Sequence, residues 1–207
     1  MKNLLKETLV ILVAAFILGL TVSYPQKDII LFSFISFLII ILINIIVKKA
    51  VAYHLEANAE IGFWQWYRYG FKKGSHFKKP IPMAWLPLVI TFITQGAVWW
   101  LAILKTDITP RTERVSKKHG LYRFSKMTEW HIAVLITFGI VINLIAAVIG
   151  YIAGFESFSR LNIYFAFWSL IPVSELDGSK LLFGSKALWF AMFIITTIFM
   201  IWGIIII

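Results

Sequence analysis

Long apolar runs, separated by short polar stretches, set the pattern of this chain. Four runs are about as long as a helix must be to cross a hydrocarbon core of about 30 Å. They cover residues 9–24, 29–51, 130–152 and 187–207. A shorter apolar run over residues 161–174 follows a polar turn, and we expect it to return the chain across the membrane. The pattern therefore predicts five membrane-spanning helices.

Residues 83–104 form a further apolar run, long enough to span. A single crossing would place one of the two basic loops that flank the run outside the cell, which the positive-inside rule disfavours. Pro80 and Pro82 precede the run, and Pro87 and Gly96 interrupt it; such residues are typical of a broken helix. We therefore favour a re-entrant hairpin that dips in and returns, with a sixth span as the alternative.

The polar stretch after the second apolar run carries a different periodicity. Aromatic and polar residues alternate in W-Q-W-Y-R-Y, from Trp64 to Tyr69. This alternation predicts either a strand or an interfacial aromatic belt. The predicted fold is an all-α polytopic membrane protein of about five transmembrane helices plus a re-entrant or sixth apolar segment, with a small strand element after the second helix. One membrane domain takes residues 1–207.

Composition supports a membrane protein. Hydrophobic residues make up 60% of the 207 positions, against roughly 45–50% in soluble domains, and the mean hydropathy is +0.84. Cysteine is absent, which excludes disulfides and thiolate metal sites. The first apolar run has no small-residue cleavage site before Pro25, so we expect no cleaved signal peptide.

The net charge of +10 is concentrated in two loops. Residues 48–80 contain seven Lys or Arg against two Glu, and residues 105–129 contain seven against three acids. In a membrane protein this excess indicates topology and not nucleic-acid binding. We expect an integral protein of the cell membrane with its N-terminus and both basic loops cytoplasmic, where Lys and Arg contact anionic lipid headgroups.

Two carboxylates follow directly on the apolar run that ends at Pro172. Glu175 and Asp177 lie in V-S-E-L-D-G, with Gly178 behind them. An acid placed beside a lipid-buried segment is costly, and it is usually functional or paired. Pro and Gly indicate that the helix is broken here, which is tolerated where protein or a water cavity surrounds the backbone. The sequence therefore predicts one buried polar site with Asp177 at its centre.

The run S-L-I-P-V-S-E-L-D-G, residues 169–178, resembles the N-x-x-P-x-x-x-L-D-G element of site-2 proteases, the intramembrane zinc metalloproteases. Ser169 stands in place of the family Asn. G-I-V-I-N, residues 139–143, is similar to the family's G-P-x-x-N element, with Ile140 in place of Pro. The resemblance spans residues 29–182 and implies that Asp177 holds the position of the third zinc ligand. The site residues that it implies are Asn143, Pro172, Leu176, Asp177 and Gly178.

The other zinc ligands of that family are not found in the sequence. H-E-x-x-H places two imidazoles on one helix face with a carboxylate base beside them, and no two of the four histidines are spaced by four. Ala59, Glu60 and Trp64 are similar to the A-E-aromatic-x-x-Trp ending of archaeal-type members. Counting back from that ending puts Asn44 at the first His, Ile45 at the general base and Lys48 at the second His.

These substitutions remove the chemistry and introduce a charge. An amide is a poor zinc ligand, an alkyl group moves no proton and an ammonium repels a metal ion. Because an unpaired buried carboxylate costs several kcal/mol, we predict that Lys48 pairs with Asp177 in place of zinc, with Asn44 or Asn143 completing the hydrogen bonds. The alternative is that Lys48 extends to the membrane interface beside Lys49.

Three functions are compatible with these residues. The first is a catalytically inactive site-2 protease relative that binds or regulates a transmembrane segment of another protein, with membrane lipid around it and no cofactor. The second is an active zinc metalloprotease in which His54, Glu56 or Glu60 joins Asp177 as a ligand. The third is a small transporter or lipid-handling protein. Enzymatic activity and oligomeric state are left open.

The three other histidines are expected to have no metal-binding role. His76 and His119 lie in the basic loops, where a solvated position is the default. His131 begins the run over residues 130–152 beside Trp130 and is expected to anchor that helix at the membrane interface.

Overall fold

The computed structural model describes residues 2–68, 76–111 and 127–205. In the order of the chain, its helices are α1 (Lys2–Ser23), α2 (Ile30–His54), α3 (Leu86–Ile93), α4 (Glu129–Ile152), α5 (Glu156–Ser169), α6 (Asp177–Gly184) and α7 (Lys186–Ile205). Its strands are β1 (Ala57–Phe63), β2 (Gln65–Arg68), β3 (His76–Pro82) and β4 (Leu104–Pro110).

Four of the described helices are long and apolar enough to cross a membrane. They are Leu5–Ser23 within α1, and the whole of α2, α4 and α7. These four match the runs that the hydrophobic pattern assigned to spans, and they indicate a membrane protein. Which of their ends is cytoplasmic stays a prediction.

The predicted count of five spans is not confirmed. The run over residues 161–174 was expected to be a helix, but α5 begins at Glu156 and ends at Ser169. Its 14 residues extend about 21 Å, so α5 is shorter than a spanning helix. Pro172 explains the early end, because a proline disfavours helical backbone in the residue before it.

Helix α2 shows which surfaces the membrane-length helices bury. Its interior-facing side carries four polar residues that are all buried, Ser33, Ser36, Asn44 and Lys48. Its exposed side is apolar and includes Leu31, Ile35, Ile39 and Ile46. Polar groups therefore face protein while alkyl groups face outward, which is the arrangement expected of a helix surrounded by lipid.

The strands form two antiparallel ribbons, β1 with β4 and β2 with β3. Strand β2 confirms the strand that the aromatic alternation predicted over residues 64–69, although Tyr69 lies outside the described residues. The sheet is larger than expected, because β1, β3 and β4 were not predicted. Strand β1 belongs to the first basic loop and β4 to the second, so the two loops meet at one end of the molecule.

The apolar run over residues 83–104 leaves this end and comes back to it. Met83 N–H donates to the carbonyl of Trp64 (3.0 Å), and Trp64 N–H donates to the carbonyl of Ile103 (2.8 Å). Between these points lie α3 and a turn at Gly96, which approaches Tyr24 at the far end of α1. This out-and-back path has the form of the predicted hairpin. Its depth in a membrane stays a prediction.

Candidate functional site

Lys48 and Asp177 form a buried ion pair, as the charge argument predicted. Lys48 Nζ donates to Asp177 Oδ2 at 2.6 Å, and the two side chains are only 6% and 7% exposed. Lys48 comes from the C-terminal third of α2 and Asp177 from the first turn of α6. The alternative in which Lys48 extends to the interface is therefore wrong.

Thr106 of β4, and not Asn44 or Asn143, completes the hydrogen bonds of the pair. Its backbone N–H donates to Asp177 Oδ1 (2.9 Å) and its hydroxyl donates to Asp177 Oδ2 (2.9 Å). The same hydroxyl accepts from Lys48 Nζ at 3.3 Å. Thr106 was not among the predicted site residues, because its sequence surroundings are those of a basic loop. The β-branched residues of L-K-T-D-I-T-P were a usable strand signal.

The surroundings of Asp177 keep it ionised. Burial raises the pKa of its carboxyl group, but the ammonium groups of Lys48 and Lys180, with the hydrogen bonds from Lys48 and Thr106, outweigh burial and hold the pKa below the ordinary 3.8. Asp177 also begins α6, where the helix dipole favours a negative charge. The site therefore holds a carboxylate whose charge is balanced by cations.

Gly139 of α4 makes room for Lys48 to reach Asp177. A Cβ at this position would lie 2.4 Å from Lys48 Cε and 3.2 Å from Asn44 Nδ2. Asn44 Nδ2 donates to the carbonyl of Gly139 at 2.7 Å, which fixes α2 against α4 at this level. The G-x-x-x-N element of α4 thus contributes its glycine to the site.

Gly178 has an equally direct steric role. A Cβ there would lie 2.4 Å from the carbonyl carbon of Leu170 and 2.5 Å from the carbonyl oxygen of Ile171. Any side chain at residue 178 would push α6 away from the end of α5. The glycine of the L-D-G turn is therefore what allows Asp177 to lie beside α2.

The remaining predicted site residues divide into two groups. Leu176 is 2% exposed and packs beside Trp64 and Ala102, directly next to Asp177. Asn143 and Pro172 lie apart from the pair. Pro172 is exposed, and the amide of Asn143 is fully buried with no hydrogen-bond partner in the described part of the chain. Within these residues, Asn143 therefore does not complete the hydrogen bonds of the pair.

A cavity adjoins the ion pair. Its volume is about 20 Å³, enough for about one water molecule. Asn44, Ile45, Lys48, Ser169 and Asp177 all line it. These are the residues that the resemblance assigns to the two histidines, the general base, the family Asn and the third ligand. They meet around one small space although α2 and α6 are far apart in sequence.

A second ion pair lies on the other side of the β1–β4 ribbon. Lys49 Nζ donates to Glu7 Oε2 at 2.6 Å, and Ile61 N–H donates to Glu7 Oε1 at 3.2 Å. Ile61 and Thr106 face each other in the strand register, and both direct their N–H groups out of the ribbon. Each edge is thus capped by a carboxylate that a lysine of α2 holds.

A third group of charges lies where the site approaches the surface. Lys105 Nζ contacts Glu175 Oε2 (2.8 Å) and Asp107 Oδ2 (3.2 Å), and Lys180 Nζ donates to the carbonyl of Thr106 (2.5 Å). Burial lowers the pKa of Lys105, but Glu175 and Asp107 raise it by more. Glu175 thus ties the L-D-G turn to β4.

The alternative zinc ligands are not brought together. His54 and Glu60 are exposed while Asp177 is buried, and Glu60 faces Asp107 across the ribbon. Within residues 2–68, 76–111 and 127–205, no group of three His, Asp or Glu side chains is placed to hold a metal ion.

Of the other histidines, His131 contributes to the start of α4, where its Nδ1 accepts from Thr128 N–H at 3.1 Å. His119 lies outside the described residues.

Comparison of the chain with protein-family models, with curated proteins and with solved structures gave no match.

Proposed function

We propose that this chain is a non-proteolytic integral membrane protein on a site-2 protease-like scaffold, in which the ammonium of Lys48 takes the place of a metal ion beside Asp177. One observation carries the proposal. The residues that the L-D-G resemblance assigns to the lost ligands, Asn44 and Lys48, line the same cavity as Asp177. Residues that the resemblance assigns to one site are thus neighbours in space.

The chemistry of the cavity favours binding over hydrolysis. A zinc hydrolase holds three protein ligands and an open position for water, with a base beside it. Here Ile45 replaces the base, and the charge of Asp177 is already balanced by Lys48 at 2.6 Å. A divalent cation would have to displace a buried ammonium to reach the carboxylate.

The partner that we propose is a transmembrane segment of another protein. Four membrane-length helices among the described residues support a membrane protein, and a lipid bilayer is where transmembrane segments of other proteins are found. The site lies between α2, the end of α5 and the start of α6, and residues 170–176, which connect α5 to α6, are not helical. Binding without cutting would make the protein an adaptor or a regulator.

Metal analysis of the purified protein tests the proposal. Wild type and Asp177→Ala are equilibrated with zinc, dialysed and analysed for bound metal, and wild type in liposomes is incubated with a membrane-embedded peptide. We expect no bound zinc that is lost in Asp177→Ala, and no cleavage of the peptide. Stoichiometric zinc that is lost in Asp177→Ala, or hydrolysis that a chelator stops, would establish an active protease instead.

A further inference from the structure

A second cavity, which we call the interfacial cavity, lies between the start of α1, the end of α2 and strand β1. Its volume is about 680 Å³, within the range of about 300–1,000 Å³ that small-molecule sites occupy. Lys48 and Asp177 do not line it. The cavity is therefore large enough for a ligand that the buried ion pair does not contact.

The interfacial cavity lies at the level where the membrane-length helices end. These helices cover Leu5–Ser23 and Ile30–His54. Lys6 lines the cavity from the beginning of the first, and Lys49 lines it from the last turns of the second. Lysines near the ends of spanning helices extend to the membrane interface. In a membrane crossed by these helices, the cavity is therefore at the depth of the lipid headgroups.

Charged side chains of both signs line the interfacial cavity in equal number. The three cations and three acids are Lys6, Lys49, Arg111, Glu7, Glu60 and Asp107. Lys49 and Glu7 neutralise each other at 2.6 Å. Asp107 is held by two lysines that do not line the cavity, Lys105 and Lys180. The lining therefore has no excess of either charge, and it is complementary to a ligand that carries both.

Arg111 presents a guanidinium group that the fold positions without neutralising it. The backbone N–H of Arg111 donates to the carbonyl of Glu56 at 2.8 Å, and its Nε donates to Asn58 Oδ1. Its guanidinium lies over the ring of Tyr53 at 5.6 Å. In the described part of the chain, no carboxylate pairs with it. Its terminal nitrogens can thus donate two parallel hydrogen bonds, the geometry in which arginine binds phosphate.

Glu60 supplies the opposite charge close to Arg111. Asn58, which holds Arg111, and Glu60 are two positions apart in β1, so their side chains share a face about 6.6 Å apart along the strand. Glu60 forms no ion pair with the residues that the structure describes. It faces Asp107 across the ribbon, and facing like charges are unfavourable. An ammonium bound at Glu60 would relieve that repulsion.

We propose that the interfacial cavity binds a zwitterionic phospholipid headgroup that carries a phosphodiester and a primary ammonium, as in phosphatidylethanolamine. Arg111 and Lys6 hold the phosphate, and Glu60 accepts hydrogen bonds from the ammonium. Leu9, three residues after Lys6 and therefore beside it on α1, is 61% exposed and offers an apolar surface to the acyl chains. This inference does not rest on the proposed function, because it uses neither Lys48 nor Asp177.

Lipid competition measured by native mass spectrometry tests the proposal. The 207-residue chain in detergent micelles is mixed with equal amounts of phosphatidylethanolamine and phosphatidylcholine that have the same acyl chains. We expect phosphatidylethanolamine to be retained about tenfold more, because the methyl groups of choline prevent hydrogen bonds to Glu60. Equal retention of the two lipids would overturn the proposal. Stronger retention of phosphatidylglycerol in the same assay would also overturn it, since that headgroup has no ammonium.

Two variants separate the phosphate contact from the ammonium contact. Arg111→Gln should lower the retention of both lipids about tenfold. Lys79→Gln, which removes the same charge at an exposed residue outside the cavity, is the control and should retain both as the wild type does. Glu60→Gln should retain both lipids equally. Equal losses in Arg111→Gln and Lys79→Gln, or a preference that survives Glu60→Gln, would contradict the assigned contacts.

The folded state of each variant is checked by circular dichroism before lipid is added. Arg111→Lys keeps the charge but loses the two parallel donors, and it replaces Arg111→Gln if the latter does not fold. It should also lower the retention of phosphatidylethanolamine. Retention equal to that of the wild type would show that the arginine contributes only charge and would reject the phosphate contact.

A soluble headgroup distinguishes a lipid from a free metabolite. Glycerophosphoethanolamine carries the same phosphate and ammonium without acyl chains. Because it cannot bury apolar surface against Leu9, we expect it to displace phosphatidylethanolamine only at a concentration at least about tenfold higher. Displacement at equal concentration would show that the cavity recognises a free phosphodiester, and would overturn the assignment to a membrane lipid.

Discussion

Two neighbouring lysines of α2 make the same contact in two environments. Lys48 and Lys49 each hold a carboxylate at 2.6 Å, and the two carboxylates cap opposite edges of the β1–β4 ribbon at the facing residues Thr106 and Ile61. The side chains of Lys48 and Asp177 are 6% and 7% exposed, whereas Lys49 is 41% exposed and Glu7 is 13% exposed.

Burial decides what each pair means for the molecule. If one partner of the inner pair is lost, the other is left as an isolated charge away from water, which is strongly destabilising. In the outer pair, water replaces a lost partner at little cost. The comparison shows why two contacts of equal length differ in importance, and why the inner one marks the site.

The largest expected effect separates the two lysines directly. Lys48→Met should lower the free energy of unfolding by about 3–5 kcal/mol, because Asp177 is left buried and unpaired. Lys49→Met should cost under about 1 kcal/mol. The free energy of unfolding of both variants is measured in mixed micelles, after circular dichroism has confirmed that each has the helix content of the wild type. Equal losses would remove the distinction between the pairs.

Removing both inner partners sharpens the same comparison. Lys48→Met/Asp177→Leu should recover most of the stability that Lys48→Met loses, since apolar replacements of a buried pair are often neutral or stabilising. A double variant as unstable as the single one would mean that the lysine side chain acts through packing and not through charge.

A smaller effect is expected at the hydroxyl that joins the inner pair to the ribbon. Thr106→Val keeps the shape and the backbone N–H but removes the hydrogen bond to Asp177, which should cost about 1.5–3 kcal/mol because the acceptor is charged. Thr109→Val, at an exposed residue of the same strand, is the control and should be near neutral. A comparable loss at both positions would argue for a general effect on β4.

Gly139 tests whether the path of Lys48 is as tight as the structure indicates. Gly139→Ala should destabilise by about 1–3 kcal/mol, because its methyl group overlaps Lys48 Cε. In a Lys48→Ala background that loss should largely disappear, which is the signature of direct coupling. Gly62→Ala, where a Cβ would lie 3.9 Å from its nearest neighbour, is the control. A loss that is unchanged in the Lys48→Ala background would place the clash elsewhere.

Acid should weaken the inner pair gradually. The folded-state pKa of Asp177 lies below its ordinary 3.8, so its contribution is fully present above that value and is lost as pH falls through the folded pKa. The loss should be up to about 1.4 kcal/mol per pH unit in this window. Asp177→Asn should have a shallower slope below pH 4 in the same unfolding assay. Parallel slopes would show that other carboxylates dominate.

Sequence reasoning reached the inner pair because burial of charge has few solutions. The pair of Lys48 and Asp177 was predicted because an unpaired buried charge is costly. The resemblance around the L-D-G turn indicated which residue of α2 should face Asp177. The four longest helices followed from apolar length. The first inference uses the cost of an unpaired buried charge, and the second uses a property that each segment carries by itself.

The features that were missed depend on contacts between segments. Thr106 reaches Asp177 because β4 pairs with β1. This long-range pairing cannot be read from the sequence, where both strands lie in stretches with the basic composition of a loop. Helix α5 was misplaced because apolar residues continue past Ser169 while Pro172 stops the helix. The outer pair escaped notice because nothing in the sequence near Glu7 indicates that it lies beside Ile61.

If Lys48 holds the position of a metal ligand, as we propose, restoring two histidines in Asn44→His/Lys48→His should create a zinc site with Asp177, which a zinc titration measures. We expect about one zinc per chain with a higher melting temperature on binding, as for a His₂Asp site, and loss of both when Asp177→Ala is added. A folded double-histidine protein that binds no zinc, or whose zinc is indifferent to Asp177, would contradict it.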